Sequence, residues 1–164
     1  MSSVFEDDPE LRDIQLRLQA DDGEVRRIAL LDLADFAGDE HVPLIIAALN
    51  DPLPAVRAEA ARTLEAFETD EGIAGLIVLL DDPDQEVREA AAHGLHDLKR
   101  PESAQLLLPH LQQASTFATI ALLRALRELR AADSFAPALH ALSNQEAAVR
   151  REAITVLGLS LIHI

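Results

Sequence analysis

The chain has 164 residues, 49% hydrophobic and 26% charged, enough for one domain with a continuous core. Its net charge of −15 repels nucleic-acid phosphates and anionic lipid surfaces, and without Tyr or Trp it has no platform for stacked bases. The absence of cysteine excludes disulfides and thiolate chemistry, while no apolar run approaches the ~18 residues of a membrane span.

Residues 1–9 form an acidic N-terminal segment, in which Asp7 and Asp8, with Glu10 just beyond, surround Pro9 and suit a helix start that caps the rest of the chain. It carries no signal-peptide pattern, so the expected compartment is the cytoplasm. From residue 10 one frame repeats every 31 residues without insertion or deletion. Val-Arg recurs at Val25-Arg26, Val56-Arg57, Val87-Arg88 and Val149-Arg150, and Ala118-Thr119 holds the same phase in degenerate form. Four residues after each Val-phase position stand Ala29, Ala60, Ala91, Leu122 and Ala153; eight after stand Leu33, Leu64, Leu95, Leu126 and Leu157. Phe36, Phe67, Leu98 and Leu129 follow at the eleventh position, where the last unit has Ser160.

Each unit predicts two helices. The Val-phase, fourth, eighth and eleventh positions share one helical face, which predicts a second helix running from one residue before the Val to twelve after it. A first helix carries its own stripe, as in Val42, Ile45, Ile46 and Leu49, or Ile73, Leu76, Ile77 and Leu80. The turns between them, Asp51-Pro52 and Asp82-Pro83, predict an Asp cap with Pro in the first turn. One hairpin cannot bury its apolar face alone, whereas stacked hairpins can. The expected fold is all-α: an α-solenoid of five two-helix repeats in a single domain over 10–164, with units near 10–39, 40–70, 71–101, 102–132 and 133–164.

The unit Asp-Pro-x-x-x-Val-Arg-x-x-Ala-x-x-x-Leu is intact at Asp51 to Leu64 and at Asp82 to Leu95. It resembles the short HEAT-like repeat of the phycobilin-lyase type. The resemblance implies that the turn Asp and the Arg after Val bond along the stack. It also implies that the second helices line a concave surface where extended partners bind.

On those helices the second, sixth and ninth positions after Val lie away from the core stripe. In the middle of the array they include Arg62, Glu65, Glu89, His93, His96, Arg124 and Arg127. Arg62, His93, His96, Arg124 and Arg127 form a cationic stretch on an acidic protein, suited to gripping a carboxylate or phosphate group through guanidinium forks. The competing reading is a solvated face with salt bridges to Glu65, Glu89 and Glu128. Glu89, His93 and His96 also share the spacing of a one-helix metal clip, which needs a further ligand from a second helix. The His-Glu dipeptides with which the HEAT-like deoxyhypusine hydroxylase holds iron are missing here.

No phosphate loop, nucleophile elbow or His-Glu-x-x-His occurs, so the expected role is non-enzymatic, with no resident cofactor or metal. That role is a scaffold or adaptor binding another protein or peptide on the second-helix face, with no nucleic acid or membrane as partner. The alternative is a lyase-like or cofactor-handling subunit holding a small anionic prosthetic group in the same groove. Charge is uneven: residues 1–40 and 41–102 each carry −8 and residues 103–164 carry +1, so a partner met at the first end is expected to be basic. The C-terminal Leu159-Ser160-Leu161-Ile162-His163-Ile164 replaces the polar residues of earlier units. It reads as a self-association tip, as the cut end of a longer protein, or as foreign residues of adaptor read-through.

Overall fold

The computed structural model describes residues 9–35 and 38–162, with side chains described throughout except at 39, 132 and 159–162. Helices follow in pairs: α1 (Pro9–Arg17) with α2 (Gly23–Leu33), α3 (Val42–Ala48) with α4 (Pro54–Thr63), α5 (Asp70–Leu79) with α6 (Gln85–His96), α7 (Ala104–Leu107) with α8 (Thr116–Glu128), and α9 (Phe135–Ala141) with α10 (Ala147–Ile162). The even-numbered helices stack in chain order, each against the next, and each also packs against its odd-numbered partner. No strand occurs among the described residues, and no helix there is long and apolar enough to cross a membrane. The array is the all-α solenoid that the 31-residue frame predicts.

The frame positions behave as their spacing demands. Ala29, Ala60, Ala91, Leu122 and Ala153 are fully buried. Small side chains at four of these five positions let neighbouring second helices approach closely, while Leu33, Leu64, Leu95 and Leu126 fill the space between repeats, none more than 2% exposed. Of the first-helix stripes, Ile46 alone is only partly buried.

Two local expectations need correction. Apart from α10, the second helices stop short of the twelfth position, so Phe67 and Leu98 lie beyond the helix ends and Leu129 caps one. They are still core residues, at 5%, 8% and 6% exposure, because the chain folds back over the helix end as it turns. Phe36 lies outside the described residues, as do the side chains of the C-terminal tip. The caps also differ from expectation. Asp22, Asp84 and Ser115 accept the free N–H groups of α2, α6 and α8, whereas Asp51 and Asp82 accept the N–H two residues on and turn their carboxylates elsewhere. Leu53 precedes α4 with no side-chain cap, and Pro54 opens that helix.

Asp51 and Asp82 face the preceding repeat. Arg26 grips Asp51 through two hydrogen bonds of 2.6 and 2.8 Å, and Arg57 grips Asp82 at 2.8 and 2.9 Å. Each guanidinium also donates to carbonyls of the turn before its own helix, Ala20 and Asp21 for Arg26, Asp51 and Pro52 for Arg57. One arginine thus closes its own turn and anchors the next. At Asp51, burial pushes the carboxyl pKa up, but the Arg26 hydrogen bond and the Leu53 N–H outweigh it and leave the pKa below the ordinary value. At Asp82 the Arg57 hydrogen bond is the main cause and the net direction is again down.

The ladder stops there. Arg88 closes its own turn through the carbonyls of Asp82 and Pro83, but the next turn offers Gln113 where an Asp would stand, and the guanidinium lies 5.7 Å from the Phe117 ring centroid. Arg150 likewise donates to the carbonyls of Asn144 and Gln145. The first helix of this fourth unit is also the shortest: α7 gives way to a tighter 3-10 turn over Leu108–Gln112, where Pro109 supplies no N–H and clashes with continued α-helix. At the far end of α8, Arg130 takes φ 50°, a left-handed turn in which Ala131 N–H reaches back to the Leu126 carbonyl. The buried core divides at α8: Leu122, Ala125 and Leu126 belong to the cluster running back to Leu11, whereas Leu123 belongs to a smaller one with Ala138, Val149, Ala153 and Val156.

Candidate functional site

The second-helix face carries a chain of charge pairs between repeats. Arg27 on α2 reaches Glu59 on α4 at 3.1 Å as well as Glu24 on its own helix. Arg62, one helical turn past Glu59, lies 3.6 Å from the same carboxylate and 2.6 Å from Glu86 on α6. Further along, Glu152 of α10 receives both Arg124, at 3.0 Å, and Arg127, at 2.8 Å, from α8. Glu59 and Glu152 are buried, at 6% and 8% exposure, and a buried carboxylate demands such partners.

The expected cationic stretch therefore takes a different form. Each arginine in it is already engaged by a carboxylate of this chain, so the face alternates in sign. The partners also differ from those expected, Glu65, Glu89 and Glu128. Of these only Glu128 holds an arginine, Arg127 at 3.0 Å; Glu65 meets His93, and Glu89 accepts from Gln85 at 2.7 Å. Arg62, Arg124 and His93 keep 43%, 56% and 63% of their side-chain surface open to solvent. His96 is exposed and joins none of the described ion pairs.

The seven singled-out residues fall into two groups. Glu65, in the turn after α4, and His93 on α6 meet at the junction of the second and third units, with Arg62 on α4 and Glu89 and His96 on α6 beside them. Arg124 and Arg127 meet on Glu152 at the junction of the fourth and fifth. Glu59, Glu86 and Glu152 were missed by sequence reasoning, although Glu59 and Glu152 hold one frame position three periods apart.

A cleft of about 540 Å³ opens at the junction of the second and third units, lined by the C-terminal ends of α4 and α6 and by α5. Phe67, Ile73, Leu76 and Leu98 give it an apolar floor, and Arg62, Glu65, Glu68, Asp97 and Lys99 are also on its walls. Glu68 is a structural member: it accepts from the N–H groups of Lys99 and Arg100 and from the Ser103 hydroxyl. Burial pushes its pKa up, and these donors outweigh that to leave it lowered. The cleft thus combines apolar depth with a charged rim, the composition of a pocket that takes an apolar group and orients it through polar neighbours.

Comparisons with known proteins agree with this architecture. The complex of CpcE and CpcF of phycocyanin lyase from Nostoc sp. PCC7120 superposes with a TM-score of 0.62 at 25% identity, covering 99% of this chain and 71% of that one. A designed armadillo repeat protein in complex with the peptide (KR)4 gives 0.52 at 20% identity over 90% of this chain and 80% of its own. An engineered protein gives 0.54 at 21% identity over 93% and 79%. The latter two likenesses show the fold alone. No curated protein sequence matches the chain. A model of HEAT repeats matches residues 12–77 and 54–119, two overlapping spans that cover well over half of the molecule, and the chain belongs to the HEAT-repeat family.

Proposed function

We propose that the chain is a non-catalytic docking module, one repeat array over 10–164, that binds a protein or peptide on its second-helix face. The binding residues are Arg62, Glu65, Glu89, His93, His96, Arg124 and Arg127. The observation that carries the reading is the exposed, sign-alternating face running past an apolar-floored cleft of about 540 Å³. Such a face suits a partner segment with charges of both signs and one apolar anchor in the cleft, since paired surface charges give orientation and specificity rather than bulk affinity. The strongly acidic first two-thirds of the chain adds long-range attraction for a segment of net positive charge. That the CpcE and CpcF structure is a complex of proteins supports a protein partner.

The test is capture from bacterial lysate with the full chain and with an Arg62→Gln/Arg124→Gln double variant, both checked for helicity. Neutral glutamine is chosen because a glutamate at 124 would stand against the buried Glu152 carboxylate. A protein retained by the wild type and lost from the variant is the expected result. Equal recovery by both moves the docking surface off this face.

A second reading, a subunit holding a small anionic prosthetic group in the same cleft, is favoured by the likeness to a phycocyanin lyase over 99% of this chain. It predicts a visible absorption band in protein purified from a pigment-producing host, and an uncoloured protein from that host speaks against it.

A further inference from the structure

Glu89, His93 and His96 share the spacing of a one-helix metal clip but do not assemble into one, because Glu89 is turned to Gln85. A different trio does. Glu65 from the end of the α4 unit, His93 on the last turn of α6 and Asp97 at its C-cap bring one ligand atom each to within 4.8 Å of one another. We propose that Glu65, His93 and Asp97 form a site for one divalent transition-metal ion of the zinc, cobalt or nickel class at the mouth of the cleft.

The argument starts from helix geometry. His93 and Asp97 stand four residues apart, so they share one face of the closing turn. A second element must supply the third ligand, and the preceding repeat does so: Glu65 Oε1 lies 2.6 Å from His93 Nδ1 across the junction. Gly94 follows His93 and packs on the same wall, where the place of its missing Cβ lies 3.0 Å from Leu76 Cδ1 and in ordinary contact range, 3.5 Å, of Glu65 Cγ.

Charge then selects the occupant. Two carboxylates and one imidazole converge, and the guanidinium that lines the same cleft, Arg62, is committed to Glu59 and Glu86. Lys99 lines the same cleft but joins no described ion pair. The trio thus carries negative charge that a divalent cation would neutralise. The imidazole favours zinc, cobalt and nickel over magnesium and calcium, which take all-oxygen shells. Three protein ligands leave coordination positions open toward the cleft, the arrangement in which a metal takes a further ligand from a bound partner.

Zn²⁺ alone is the probe. Isothermal titration of the full chain should give one equivalent per molecule. His93→Ala and Asp97→Asn should each weaken binding at least tenfold, while His96→Ala and Glu89→Gln leave it within twofold. Both weakening positions are on the surface, and circular dichroism in the absence of metal verifies that the variants keep their helix content. A tenfold excess of Mg²⁺ should not displace Zn²⁺. Absence of one-equivalent binding overturns the site. So does binding that survives His93→Ala, or that falls equally with His96→Ala, which would mark scattered surface imidazoles and carboxylates instead.

Discussion

The first three repeats and the last two are built on the same frame but held together differently. Between the first and second units, and again between the second and third, a bidentate arginine–aspartate pair joins each turn to its neighbour. Between the third and fourth the pair is missing and α7 is cut to four residues, although the larger core cluster still crosses that junction and ends at Leu129, just past α8. The difference separates two jobs that the recurring residues perform. Apolar positions set the spacing and survive along the whole array. The arginine–aspartate rungs fix each hairpin to the next, and the array continues without them. Repeat proteins are sums of unit stabilities and nearest-neighbour terms, so a missing rung should show as a local loss at the third junction.

The largest effect expected is in the core, and it sharpens the comparison by holding the frame position constant. Leu95 and Leu157 occupy the same place in the third and fifth units; Leu95 is fully buried and Leu157 only partly. Leu95→Ala should cost about 3 kcal/mol, because both transfer energy and an unfilled cavity count against it, whereas Leu157→Ala should cost about 1 kcal/mol. Urea denaturation of the two variants measures this. Equal costs would mean that the terminal unit is packed as tightly as the centre.

Next comes a rung itself. The Arg57 and Asp82 side chains are 13% and 6% exposed, so truncating one leaves the other poorly solvated. Asp82→Ala should cost about 2 kcal/mol, and Arg88→Ala, at the junction without a carboxylate, about 1 kcal/mol or less. The pH dependence provides the sign. Asp82's pKa is lowered in the folded protein, so its stabilisation is complete above the ordinary carboxylate value of about 4 and fades as pH falls through the folded value. Wild-type stability should therefore drop as the solution is acidified below about pH 4, and the drop should be shallower in Asp82→Ala. Parallel acid profiles would show that Asp82 takes no part in the linkage.

How much of this was legible in the sequence depends on which interactions respect the period. Val, Ala and Leu at fixed phases place the core because burial at one frame position recurs at its equivalents, with Leu157 in the last unit only partly buried. The rungs follow from the family resemblance, since Asp51 and Asp82 recur in step with Arg26 and Arg57. Helix ends were not legible: the eleventh-position residues Phe67 and Leu98 continue the apolar stripe, and a stripe does not reveal that the backbone has turned under it. The charge pairs on the second-helix face were half legible. Phase picks out Arg62, Arg124 and Arg127, but their partners stand in other phases of the frame, Glu59 on the helix of Arg62 and Glu86 and Glu152 on neighbouring helices. The Glu65–His93–Asp97 trio crosses a junction and uses a helix cap, so spacing along one helix does not reveal it.

The smallest effect tests the comparison in the constructive direction. Gln113 occupies, one period on, the place of Asp82, and Arg88 occupies the place of Arg57. Arg88 already holds the posture of a rung, with its Nη1 on the carbonyls of Asp82 and Pro83. Gln113→Asp should therefore supply the missing carboxylate and draw the guanidinium from the Phe117 ring. The cation–π contact given up is worth about 0.5–1 kcal/mol and the charge-assisted pair gained about 1.5–3 kcal/mol, so the net gain should be about 1 kcal/mol. The gain should vanish in a Gln113→Asp/Arg88→Ala double variant, which distinguishes a new rung from better capping of the turn. Hydrogen exchange should show slower opening in α8 and less change in α2, because coupling in such arrays passes from neighbour to neighbour. A gain that survives the loss of Arg88 would mean that the break at the third junction comes from Pro109 and the shortened α7, with the absent aspartate a secondary feature.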